Sequence, residues 1–144
     1  MTELSATTEQ LIPLREGMFD LPAKLGEPAR LLGARCRECG QPFFPRRTFC
    51  AACTAGDLAP VTFASDGEVE TYTIVRQQLP GSAMVPPYAI VRVRLDDGPS
   101  VQTVASGDPE AIVIGGRVRL IVERVKEDES GAMVVSFMAT PVDR

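Results

Sequence analysis

Four cysteines stand in two CxxC pairs, Cys36-Arg37-Glu38-Cys39 and Cys50-Ala51-Ala52-Cys53, with ten residues between the pairs. A CxxC turn places two sulfurs on one side of a tight loop, and a second such turn completes a tetrahedron around zinc or iron. Gly40, directly after the second sulfur, suits the left-handed backbone that such a turn demands. Four protein thiolates leave no open coordination position for water or substrate, so the spacing predicts one structural metal ion per chain, with zinc as the cofactor and Cys36, Cys39, Cys50 and Cys53 as its ligands. The competing reading makes the pairs redox dithiols. In a reducing compartment, where thiols seldom persist as structural disulfides, four cysteines in this pattern point to the metal.

The chain of 144 residues contains no histidine. That removes the usual general base, the Ser/His/Asp arrangement and the Cys/His pair together. With the cysteines committed to metal, no thiol is left as a nucleophile. Asp96 and Asp97 are adjacent carboxylates, but Asp97-Gly98 between two strand-like runs is a hairpin signal. No catalytic residue is therefore predicted, and the chain is not expected to be an enzyme by itself.

Composition bounds the rest. The chain is 44% hydrophobic and 24% charged with a formal net charge of −4, values of a globular domain. No apolar run approaches the roughly 20 residues that a bilayer requires, and Met1 to Gln10 lacks the basic start and apolar centre of a secretion signal. The expectation is a cytoplasmic protein with no membrane association.

Three regions position the cysteines. Residues 1–29, broken by Pro13, Gly17, Pro22, Gly26 and Pro28, read as a leader with short helical segments around Thr7 to Leu11 and Arg15 to Asp20. Residues 30–60 read as the metal-bound ribbon, entered by a strand holding Leu31 and Leu32. Residues 61–142 alternate as strands: Glu68 to Val75, Tyr88 to Leu95, Ser100 to Ala105, Arg117 to Val125 and Met133 to Ala139. Asp108-Pro109-Glu110 starts a short helix between the third and fourth of these, with Asp108 as its cap. Five strands with a helix in that place is the order of an OB-fold barrel, so the predicted class is mainly β.

Arg35-Cys36-Arg37-Glu38-Cys39-Gly40, Phe44-Pro45-Arg46, Cys50-Ala51-Ala52-Cys53, Gly67-Glu68-Val69, Pro87-Tyr88 and Gly115-Gly116-Arg117-Val118 occur in that order. The combination resembles the family of small accessory proteins that join a rubredoxin-like zinc ribbon to an OB-fold, over roughly residues 18–140. The resemblance implies a non-catalytic subunit that assembles with a thiolase-fold protein into a hetero-oligomer and helps to contain coenzyme A or the acyl-CoA substrate. Thiolases, sterol-carrier-type aldolases and hydroxymethylglutaryl-CoA synthase are the partners it implies, the chain being a required subunit of a thiolase-like acyltransferase complex.

Candidate contacts to coenzyme A or to the partner are Phe43, Phe44, Arg46, Arg47, Met84 and Tyr88. From Arg30 to Arg47 there are five arginines and one acid, Glu38, in an otherwise acidic chain. Guanidinium forks suit the phosphates of coenzyme A. The same residues admit a plainer reading, in which the phenylalanines pack ribbon on barrel and the arginines face water. The uncharged loop from Gln77 to Pro87, with Leu79, Met84 and Val85, fits contact with a partner and contact with its own barrel equally.

Two other classes use these folds. A single-stranded nucleic-acid binder needs a basic groove with aromatic platforms; here the isoelectric point is about 4.9, tryptophan is absent and there are two tyrosines. An iron-bearing electron carrier is the other, separable from a zinc protein by its visible absorption.

Overall fold

Tyr88–Leu95 shows how this chain makes its barrel. Ala89, Val91, Val93 and Leu95 are each at most 2% exposed, while Arg92 and Arg94 between them face water. Successive strand side chains point to opposite faces, so period-two patterning decides which face turns inward. The computed structural model describes residues 11–14, 17–21, 24–81 and 84–142.

Nine strands are described: β1 (Leu11–Pro13), β2 (Leu32–Cys36), β3 (Pro42–Phe43), β4 (Leu58–Thr62), β5 (Asp66–Val75), β6 (Tyr88–Leu95), β7 (Ser100–Val104), β8 (Arg117–Glu127) and β9 (Met133–Pro141). A three-stranded sheet in the order β3-β2-β4 forms the ribbon, and a six-stranded sheet in the order β1-β9-β8-β5-β6-β7 forms the barrel. The barrel closes where Ala105, just after β7, forms a parallel bridge with Ala139 of β9, supported by the Ser106 amide donating to the Ala139 carbonyl at 2.8 Å. The strands expected in the third region are all present. The short helix is a single 3-10 turn, Pro109–Ala111, capped by the Asp108 carboxylate, which accepts from the Glu110 amide.

The core is lined from β5, β6, β8 and β9 by Val69, Val91, Val93, Val118, Leu120, Val122, Val135 and Ala139, each at most 1% exposed. Burying one such valine or leucine contributes roughly 1.5–3 kcal/mol.

The leader departs from expectation. Helical segments were expected over Thr7 to Leu11 and Arg15 to Asp20; residues 1–10 and 15–16 lie outside the described residues, Leu11 begins β1, and Phe19 bridges to Leu31 in β fashion. β1 runs parallel to β9, with Leu11 opposite Met133. Further on, the Ala29 amide donates to Leu120 and the Val122 amide to Glu27, so this segment covers the edge of β8 that β5 does not reach. Prolines and glycines that break a helix are tolerated in such a strap. Phe19, Ala29 and Leu31, all at most 5% exposed, join the barrel core.

Ribbon and barrel meet on Phe63, 1% exposed, in the link between β4 and β5. Gly33 of β2 and Gly98 of the β6–β7 turn lie against its ring: a β-carbon would fall 2.5 Å from the ring at Gly33 and 2.7 Å at Gly98. Both positions need glycine because no side chain fits between backbone and ring.

Candidate metal centre and the ribbon–barrel junction

Each cysteine pair is held by the same backbone pattern. Gly40 N donates to Cys36 O and Thr54 N to Cys50 O, both at 2.9 Å. Gly40 (φ 81°) and Thr54 (φ 64°) turn the chain back through left-handed backbone. Glycine accepts that conformation without cost, whereas a β-branched threonine is strained in it.

Within each turn the amides point at the first sulfur. Glu38 N and Cys39 N donate to Cys36 Sγ at 3.4 and 3.5 Å, and Ala52 N and Cys53 N donate to Cys50 Sγ at 3.3 Å. These bonds favour thiolate. The four sulfurs all lie within 4.8 Å of one another, with Cys36 to Cys53 at 3.6 Å and Cys39 to Cys50 at 3.5 Å. A tetrahedral zinc with bonds of about 2.3 Å has sulfur edges of about 3.8 Å, so the donor set fits one zinc ion.

The sulfurs do not hold their protons alike. Burial raises Cys50, but amides of Cys53 and Ala52 and the neighbouring thiols outweigh it and bring Cys50 down to about 6. For Cys53 the Ala55 amide pulls down, yet its hydrogen bond with Cys36, its burial and the other sulfurs push it up to about 12. Sulfurs this close hold on to protons because neighbouring thiolates repel, and all four would become thiolates together only around a dication. The centre is closed on all sides by protein sulfur, and its zinc is structural.

Arg35 ties this centre to the barrel. Its guanidinium donates to Gly40 O at 2.9 Å and to Asp97 O at 3.1 Å, and the Asp97 carboxylate accepts from Ala64 N at 3.1 Å. Asp96 is bound by Arg117, whose hydrogen bond holds its carboxyl below the usual range against a smaller opposing effect of burial. Both carboxylates thus have structural partners, as expected of a hairpin turn.

The other candidate residues separate into two places. Phe43 carries the Arg47 guanidinium over its ring at 5.4 Å, and Phe44 meets Phe137 of β9 edge-on at 5.7 Å. Phe137 also lines an apolar cleft of about 180 Å³ with Leu14, Met84, Val104, Val125 and Met138. Phe44 and Met84 are therefore linked through Phe137, a residue that sequence reasoning missed, while Phe43 and Arg47 form a pair of their own. Arg46 is exposed beside them. Tyr88 is elsewhere, half-buried at the start of β6 opposite Val75. Of the loop from Gln77 to Pro87, Met84 turns to the barrel while Leu79 and Val85, 52% and 78% exposed, face outward; residues 82–83 lie outside the described residues.

No helix among the described residues is long and apolar enough to cross a membrane.

Known proteins share this arrangement. The family model described as ChsH2, rubredoxin-like zinc ribbon domain, matches residues 26–59, and that described as ChsH2, C-terminal OB-fold domain, matches residues 60–123. A DUF35 domain-containing scaffold protein of Pyrococcus furiosus is 32% identical over 118 residues, 81% of this chain and 86% of the relative. The benzoylsuccinyl-CoA thiolase subunit BbsA of Thauera aromatica is 24% identical over 120 residues, 83% of this chain and 81% of that subunit. Among solved structures, a chain of the Ltp2-ChsH2(DUF35) aldolase superposes with a TM-score of 0.60 at 28% identity, covering 78% of this chain and 84% of that one. With its zinc ribbon, its barrel and these relatives, the chain belongs to the DUF35 family of ChsH2-type zinc-ribbon and OB-fold proteins.

Proposed function

We propose that this chain is a non-catalytic accessory subunit of a thiolase-type acyl-CoA enzyme, seated on a thiolase-fold partner, with its ribbon–barrel junction helping to hold coenzyme A or the acyl-CoA substrate. The observation that carries the reading is the junction itself. Arg47 is stacked on Phe43, with exposed Arg46 adjacent to it in the chain, and the next residue after Phe43, Phe44, contacts Phe137 at the apolar cleft, so cationic forks and apolar surface come from one short stretch of the ribbon. That pairing suits a ligand with phosphates at one end and an uncharged arm at the other. The relatives' descriptions, a thiolase subunit, an aldolase chain and scaffold proteins, support the subunit role.

Charge on the barrel favours this reading over nucleic-acid binding. Arg92, Arg94, Arg117 and Arg119 lie within 3.5 Å of Glu70, Glu68, Asp96 and Asp66 respectively. A self-neutralised barrel face gives a phosphate backbone little to hold.

The subunit role is tested by isolating the native protein with whatever accompanies it. A thiolase-fold protein should co-purify, and acyl-CoA turnover should require that protein; robust turnover by the homogeneous chain alone would refute the role. The ligand contact is tested by titrating coenzyme A into the assembled complex carrying Arg46→Ala or Arg47→Ala, with zinc content and assembly checked first. A charge-assisted phosphate contact contributes roughly 1.5–3 kcal/mol, so affinity should fall about tenfold to a hundredfold. Wild-type affinity in both variants would return these arginines to the solvated surface.

A further inference from the structure

β5 outlasts its neighbour on one side. β8 pairs with it only over Asp66 to Glu68, and the last backbone bonds on that side join Val69 to Gly115 and Gly116 at 2.9 and 3.0 Å. β6 follows β5 on its other side as far as Val75. From Thr71 to Val75, β5 is thus a sheet edge, with no second strand against it among the described residues.

The composition of this edge is unusual for one left in water. Thr71-Tyr72-Thr73-Ile74-Val75 is β-branched or aromatic throughout and holds no charge, proline or glycine, and Thr71, Tyr72 and Thr73 are exposed. Proteins ordinarily protect an edge with lysine, proline or a bulge because unpaired backbone groups recruit another strand. The bulge of β5 falls at Glu70, before the edge begins.

Charge along β5 favours one occupant. Asp66, Glu68 and Glu70 precede the neutral stretch and Arg76 follows it. A parallel copy would set like charges side by side. An antiparallel copy sets acid against base: with Thr73 opposite its own counterpart on a two-fold axis, Thr71 meets Val75, Tyr72 meets Ile74, and Arg76 comes opposite Glu70 at both ends, where it would share a carboxylate that already holds Arg92 at 3.4 Å and accepts from Ser100 at 2.6 Å. The Arg76 side chain is 69% exposed and lies 3.6 Å from Glu110, an exposed pair that exchange would cost little.

We infer that the Thr71 to Val75 edge is an interface between two copies of this chain, paired antiparallel about Thr73. The interface lies outside the ribbon–barrel junction and does not depend on the subunit role.

Sedimentation of the zinc-loaded full chain tests it. The wild type should show a concentration-dependent dimer. Thr73→Lys places two ammonium groups against each other on the axis, and should raise the dimer dissociation constant about tenfold or more while zinc content and thermal midpoint stay unchanged. Arg76→Glu, which leaves the Glu70–Arg92 pair in place, should weaken the dimer by setting acid against acid at both ends. A wild type that stays monomeric overturns the inference, as does a Thr73→Lys variant that dimerises as tightly as the wild type. If the isolated chain is monomeric and Thr73→Lys instead abolishes binding of a thiolase-fold subunit, the edge belongs to a strand of that subunit and self-pairing is refuted.

Discussion

Replacing Cys36 by serine will cost the chain its zinc and the order of residues 32–62. Cys36 is 2% exposed, its sulfur accepts two amide bonds, and it ends β2, whose partners on both sides are the other ribbon strands. A hydroxyl at this position keeps the shape but not the thiolate. In peptide systems structural zinc contributes roughly 10–16 kcal/mol of folding energy, and the ribbon is too small to replace that with a core of its own. Elemental analysis should find little zinc in the variant, and amide hydrogen exchange should become fast across β2, β3 and β4. The loss should spread to residues 63–65 and the Asp97 turn, which depend on Arg35 and Gly33, while β8 and β9 stay protected. Full zinc content with wild-type exchange in the ribbon would contradict the structural role of the site.

Phe63→Ala should weaken the fold without touching the metal. Phe63 belongs to the barrel core and touches the ribbon at Gly33 and the hairpin at Gly98. Truncating a buried phenylalanine typically costs about 3–5 kcal/mol, part of it for the cavity left behind. Two glycines lining that cavity offer no side chain to refill it, so the upper part of the range is expected. For a chain of this size the loss corresponds to a fall of roughly 10–15 °C in midpoint. Calorimetry with zinc measured in parallel checks it: a midpoint within a few degrees of wild type would show that the ribbon and barrel do not rely on this ring.

What sequence made legible was what short spacing or strict alternation encodes. The four metal ligands are set by two three-residue intervals, and their convergence follows from turn chemistry alone. Val91 and Val93 were readable as inward because Arg92 and Arg94 flank them. The leader was not, since its prolines and glycines remove the helical pattern without supplying a strand pattern; its order comes from bonds such as Ala29 to Leu120, far apart in the chain. Phe63 lay hidden for a related reason: Thr62, Ala64 and Ser65 beside it signal a linker, and the two glycines that bury it are distant in sequence. In the candidate site, Phe43 and Arg47 were close enough to be grouped in advance. Phe44 and Phe137 are not, and neither are Phe137 and Met84, so the cleft that joins them emerged only with the fold.

The parallel pairing of β1 with β9 also fixes an order of events during synthesis. Leu11 is made well before its partner Met133, 122 residues further along (133 − 11), and the strap from Glu27 to Ala29 waits for Leu120 and Val122. The ribbon, by contrast, finds all its strands and sulfurs between Leu32 and Thr62. Local contacts form before distant ones because less chain must be ordered to make them. Metal capture can therefore be complete on the nascent chain while the segment before the ribbon still has no place to dock, which leaves Phe19 without its contact to Phe137 until β9 has been made.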